Sequence, residues 1–318
     1  MYHYVRPASA PTLSGIVPLS SEEFEQQLDW LQKHFDVVGP EKYADAVSNE
    51  EQLDRPACLL TFDDGTRDHS EVITPILARR GLSGLFFILS GPISEGLMPR
   101  THKLHLLLSH VSDEKLWADL ESALGDDKLE ELSDEAEARR VYYYEQDPLR
   151  ARIKHLVNFR LEANLGDSVL RSSLEEAFGS EESAARTWFS SADEIKNMAE
   201  ANMVIGSHGH SHRSLANLQE TEIQEEIDRC HEVLTEILGS PPKWHAYPFG
   251  GSGNTRSNLD YYDRCLSKLD YRAVFTKDSE TGDAQSGLLH LDRINCIHLP
   301  PRVSEAQAFE RIGRFATK

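Results

Sequence analysis

Pro56-Ala57-Cys58-Leu59-Leu60-Thr61-Phe62-Asp63-Asp64-Gly65 is the stretch from which the rest of this chain can be read. Its apolar run ends at two acids and a glycine, the pattern of a buried strand entering a turn. Helical spacing follows over about 71–80 and is closed by Gly81. Gly84-Leu85-Phe86-Phe87-Ile88-Leu89 then reads as a second buried strand. Strand, helix and strand in so short a span form a βαβ unit, and that unit requires a parallel sheet.

The same alternation returns after residue 190. Helices are expected over 192–201, 221–238, 258–269 and from Ser304, with strands over 203–206, 243–247, 272–276 and 291–294. The stretch 101–190 breaks the pattern, with several amphipathic helical segments and no convincing strand. Between Ser112 and Ala138 it holds 11 acids against two lysines, which reads as a solvated helical face. The expectation is therefore one α/β domain over 1–318, an incomplete or distorted (β/α) barrel. Residues 101–190 would be a helical insertion packed near one rim.

Composition narrows the function classes. The 318 residues carry 53 acidic against 33 basic side chains, a formal charge of −20. Hydrophobic and charged fractions of 39% and 27% are those of a soluble globular protein. So negative a chain is not expected to bind nucleic acid or anionic lipid through a broad basic face. No run approaches the ~18 apolar residues of a membrane span. Met1-Tyr2-His3-Tyr4-Val5-Arg6-Pro7 has no secretory apolar core, so a cytoplasmic location is expected. Cys58, Cys230, Cys265 and Cys296 form no CxxC pair and read as buried free thiols.

Ligands of parallel sheets gather at the carboxyl ends of the strands. Three such ends carry polar groups: Asp63-Asp64-Gly65, Gly206-Ser207-His208-Gly209-His210-Ser211-His212, and Tyr247-Pro248-Phe249-Gly250. Adjacent carboxylates repel, so this pair needs a cation or a proton, unless Asp-Asp-Gly is only an exposed turn. On a helical turn the four-residue spacing puts His208 and His212 on one face, with a third ligand from elsewhere; the alternative is a solvated polar loop. Two histidines and one carboxylate leave a coordination position open for water, the pattern of catalytic zinc or another divalent metal.

With these motifs together, the sequence resembles the polysaccharide deacetylases of the NodB-homology fold, carbohydrate esterase family 4. Thr61-Phe62-Asp63-Asp64-Gly65 matches the family's first motif, and Gly206–His212, with Leu215 following, its second. Ala246-Tyr247-Pro248-Phe249-Gly250 is similar to a variant third motif, and Tyr2-His3 to an opening common in many members. Asp68-His69 and His102-Lys103-Leu104-His105 further resemble members associated with surface-glycan synthesis. The likeness spans about 50–100 and 190–300.

The resemblance implies a distorted barrel of seven or eight strands. It implies Asp63 as general base, Asp64, His208 and His212 as ligands of a divalent metal, zinc first, and His210 beside them without ligating. Phe249 would offer its backbone N–H to the oxyanion, with Tyr247 and Pro248 lining the substrate. Two positions depart from the pattern. Ala246 stands where typical members have the Arg that orients the base; Arg293 is the candidate replacement, an ordinary salt bridge the alternative. The late motif that supplies the general acid has no clean match, leaving His290, His298 and His3 as candidates.

The expected activity is a metal-dependent hydrolase that removes an acetyl group from an amino sugar. Water activated at the metal attacks the amide, Asp63 takes its proton, and a protonated histidine assists the leaving amine. The expected substrate is a cytoplasmic N-acetylated sugar or short glycan precursor, including a lipid-linked one reached by peripheral membrane contact. Two rivals stand beside this reading: a hydrolase of ureides or cyclic amides, and a degenerate glycan-binding protein.

Overall fold

The computed structural model describes residues 1–7, 9–10, 15–48, 53–143, 145–161, 163–214, 218–251, 256–276 and 288–316. Leu215 of the second motif lies outside them. The chain divides into two compact units: Met1–Ala10, Pro18–Ser94 and Trp188–Lys318 form one, Pro11–Val17 and Glu95–Thr187 the other.

The first unit is built on six parallel strands: β1 (Thr61–Asp64), β2 (Leu85–Ile88), β3 (Val204–Ser207), β4 (Trp244–Ala246), β5 (Ala273–Thr276) and β6 (Leu289–Asp292). Their spatial order is their chain order. Each right-handed crossover therefore steps the same way and lays its helices on the same face, so the sheet curls toward a barrel. The N-terminus joins the two edges. Tyr2 pairs beside β1, with Tyr2 N donating to Thr61 O and Asp63 N to Tyr2 O, at 2.9 and 3.0 Å. Just past β6, Met1 N donates to Ile294 O at 2.8 Å and Cys296 N to Met1 O at 3.1 Å. The expected distorted barrel is thus a curled six-stranded sheet with a two-residue stave across its gap.

Side chains alternate across these strands. Leu85, Phe87, Trp244, Ala246, Ala273, Phe275 and Leu291 pack together on the inner face. Phe62, Phe86, Ile88 and Ile205 face outward into a larger cluster with Tyr2, Phe24, Leu28, Ile195 and Leu234. Val274 does the same against Tyr262 and Leu266 of the helix Arg256–Lys268. Phe62 stacks on Phe86 with ring centroids 4.5 Å apart. Each such ring taken from water contributes about 1.5–3 kcal/mol.

Three boundaries differ from the sequence reading, each for a local reason. Ala57–Cys58 pairs with Asp36–Val37 rather than with the main sheet, so β1 starts at Thr61 and runs through both aspartates. The expected helix over 71–80 opens as a π-turn, His69–Ile73, before the α-helix Thr74–Arg79. The last strand ends at Asp292, which puts Arg293 just past its carboxyl end.

The second unit is helical, with no strand among its described residues. Its helices include Arg100–His110, Asp113–Leu124 and Pro148–His155. Within it, buried Lys103 is held by Glu181 at 2.9 Å and Asp167 at 3.9 Å. Charges that deep require such partners. Among the described residues no helix is long and apolar enough to cross a membrane.

Candidate active site

Alternation decides which polar groups meet. Asp63 sits level with Phe87 in register and therefore faces inward. Arg293, two residues after inward-facing Leu291, reaches it from the opposite edge of the sheet. Its Nη1 donates to Asp63 Oδ1 at 2.5 Å and its Nε to Thr276 O at 3.2 Å, while its guanidinium lies 5.4 Å from the Phe87 ring centroid. Burial pushes the Asp63 pKa up, but the charge of Arg293, then those of His208 and His3, outweigh it and hold the carboxyl below its ordinary range. Asp63 is therefore ionised at neutral pH, as a base must be.

Asp64 leaves the strand pattern through a left-handed backbone, φ 85°. That twist brings its Oδ1 to 3.3 Å from His208 Nε2 and 3.5 Å from His212 Nε2. The three ligand atoms all lie within 4.8 Å of one another. Tetrahedral bonds of ~2.0–2.1 Å put neighbouring ligand atoms roughly 3.3–3.4 Å apart, so this oxygen and these nitrogens fit a zinc-sized divalent ion. His208 Nδ1 lies 2.8 Å from Ala246 O, a contact that assigns the proton to Nδ1 and turns the Nε2 lone pair to the site. His212 and Phe249 also have positive φ, 58° each, and their rings lie 4.7 Å apart. Left-handed backbone at three non-glycine residues around one point is strain of the kind that functional sites retain.

The structure separates the three acid candidates. His3 follows outward-facing Tyr2, so it faces inward, with Nε2 4.0 Å from Asp63 Oδ2 and a side chain 38% exposed. Burial lowers its pKa against the opposing pull of Asp64 and Asp63. His290 is level with Val274 and faces outward, where its Nε2 lies 2.9 Å from Asp263 Oδ2. His298 lies in the short turn Cys296–His298. Tyr247 and Pro248, expected to line the substrate, directly follow β4. Tyr247 is 1% exposed and its hydroxyl donates to Asp263, because it sits one step after inward-facing Ala246 and turns to the helices. Pro248 is likewise buried. His210 is turned from the trio, its Nδ1 2.8 Å from Ser90 Oγ.

Sequence reasoning missed Asp263 and Glu226, both carried on helices by segments with no motif. The strand period that puts Arg293 and Leu291 on one face puts His290 on the other, a signal that separates it from His3.

Comparison with known proteins bears on this arrangement. A family model described as polysaccharide deacetylase matches residues 172–274, which carry His208, His212 and the turn after β4. That match covers about a third of the chain. Over 56 residues it is 36% identical to a peptidoglycan-N-acetylglucosamine deacetylase of Bacillus cereus, covering 18% of this chain and 20% of that protein. Over 55 residues it is 33% identical to the uncharacterized protein YlxY of Bacillus subtilis, 17% of each. These matches span about a fifth of the curated relatives' own length. Among solved structures, the Streptococcus pyogenes deacetylase PplD in complex with acetate superposes with a TM-score of 0.56 at 17% identity, covering 97% of this chain and 94% of that one. IcaB from Ammonifex degensii does so with 0.54 at 20% identity, covering 96% and 94%. At these identities the likeness shows the fold alone. The chain thus shares the fold that the sequence resemblance implied.

Proposed function

We propose that this domain hydrolyses the N-acetyl group of an amino sugar, with Asp64, His208 and His212 holding a divalent metal, zinc first. The observation that carries the reading is the meeting of that trio with the Asp63–Arg293 pair at adjoining strand ends. A metal bound there supplies Lewis acidity toward water and the acyl oxygen. Asp63 accepts the proton of the attacking water, and Arg293 keeps it ionised and oriented. The backbone N–H of Phe249 donates to the developing oxyanion. His3, beside Asp63 and half-exposed, returns a proton to the departing amine. His290, held on the outer face by Asp263, is the weaker candidate for that step.

The substrate is read as an N-acetylated sugar or short glycan precursor inside the cell. Four free cysteines, three of them buried, support a reducing compartment. The deciding assay is acetate release from N-acetylhexosamine oligomers by chelator-stripped protein, with zinc, cobalt or manganese restored. Release that depends on metal and falls in His3→Asn but not in His290→Asn supports the reading. Turnover of cyclic amides alone, or metal-independent turnover, overturns it.

A further inference from the structure

We propose that Glu226, in the helix Glu220–Leu238, is the positioning residue that fixes the spacing of His208 and His212. The two histidines are joined by Gly209-His210-Ser211, and the shape of that link sets how their imidazoles meet. Glu226 Oε2 accepts the backbone N–H of His210 at 3.0 Å and of Ser211 at 2.8 Å. Its other oxygen accepts the Ser211 hydroxyl. The opposite side of the link is tied to the end of β2. Gly91 N donates to His210 O at 2.9 Å, Ser90 N to Gly209 O at 3.3 Å, and Ser90 Oγ meets His210 Nδ1 at 2.8 Å. The turn itself needs Gly209, at φ 83°, where a Cβ would lie 3.5 Å from Glu226 Oε2.

Glu226 is only 9% exposed, and a carboxylate that deep is costly unless its oxygens are filled. Three donors from one link fill them, the N–H groups of His210 and Ser211 and the Ser211 hydroxyl, all lying between the two histidines. Its effect on the trio therefore passes through the backbone it holds. Charge-assisted bonds to backbone N–H groups are among the stronger ones, which suits a clamp on a strained turn.

The inference rests on the metal reading, and the test separates the two. Zinc affinity of the full chain is measured by competition with a chromophoric chelator, and cobalt substitution reports ligand geometry through its visible absorption. Glu226→Ala is expected to weaken zinc roughly 10–100-fold and to alter the cobalt spectrum. Glu226→Gln keeps reach and shape, with its amide oxygen accepting both N–H groups, and is expected to bind close to wild type. Glu226→Asp keeps the charge but is one methylene short, and is expected to bind weakly. Glu225→Ala, exposed on the same helix, is the control. Affinity that follows charge instead, with Asp tight and Gln weak, or an Ala variant equal to wild type, overturns the clamp while leaving the metal site standing. Wild-type protein that takes up no metal removes the metal reading and the clamp with it.

Discussion

On the inner face of the sheet Asp63 meets Arg293; on the outer face Asp263 meets Tyr247 and His290. Both carboxylates are buried, and Arg293 and His290 come from the same short stretch of chain after β5. They differ in what surrounds them. Asp63 has a permanent cation on one oxygen and, 4.0 Å from the other, a histidine open to solvent. Asp263 is fully buried, with Tyr247 buried beside it and the His290 side chain 10% exposed, against 38% for His3. An ionised carboxylate beside an open edge can exchange a proton with a ligand. A sealed one can hold only its neighbours. On the proposed reading, turnover belongs to the inner cluster and stability to the outer one.

The largest effects should come from the inner face, and they should divide between neighbours. Asp64→Ala or His212→Ala removes one of three ligand atoms, so metal content measured by emission spectroscopy should fall to background and activity with it. Asp63→Asn should keep the metal and lose about 10²–10⁴ in turnover, the usual worth of a positioned acid–base group. Equal metal content and equal loss in both variants would show that the two aspartates do not differ in role.

Arg293→Ala should come next, lowering turnover roughly 10–100-fold with zinc affinity nearly unchanged. Arg293→Lys keeps the charge without the fork that reaches both Asp63 and Thr276, and should recover only part of the rate. Full activity in the alanine variant would return this pair to an ordinary buried salt bridge.

How far the sequence carried this picture is clearest at individual residues. Thr61–Gly65 and Gly206–His212 pointed to Asp64, His208 and His212, which the fold brings together, because ligand chemistry restricts residue type and spacing within one segment. Arg293 was legible only as a candidate, since its meeting with Asp63 crosses the closed gap of the sheet. The outward turn of His290 was not legible because the expected strand began at 291, whereas β6 begins at Leu289. The stave formed by Met1 and Tyr2 could not be read at all, because two residues have no periodicity. Glu226 and Asp263 were invisible for a related reason: on an amphipathic helix, an inward acid looks like one more acid of a solvated face until its partners are known.

The outer face should answer in stability. Asp263→Asn gives Tyr247 and His290 a neutral partner and should cost about 1–3 kcal/mol, the range for a compromised buried hydrogen bond. Urea midpoints measure the loss, and turnover of the folded fraction should stay close to wild type. A large drop in turnover with the midpoint unchanged would place the Asp263 cluster in the chemistry and undo the division between faces.

The last effect, confined to acid pH, concerns His69, on the outer side against Phe62 and Phe86. It is fully buried, its Nε2 lies 2.9 Å from His3 O, and burial pushes its pKa down to about 4 from an ordinary 6.5. Between those values the unfolded chain takes a proton that the folded chain refuses. His69 therefore contributes full stability above pH 6.5, and that contribution is lost as pH falls from 6.5 through 4. The loss is on the order of 3 kcal/mol. His245, also buried with its pKa pushed down by burial, acts in the same direction. His69→Gln keeps an N–H donor for the His3 carbonyl but cannot titrate. In metal-free protein its urea midpoint should therefore decline less steeply than wild type between pH 6.5 and 4.5, with little difference at pH 8 beyond a constant offset. Parallel declines would mean that His69 takes up its proton as readily in the folded chain as in the unfolded one. The outer face would then hold a charge, and the contrast with Asp63 and Arg293 would lose its physical basis.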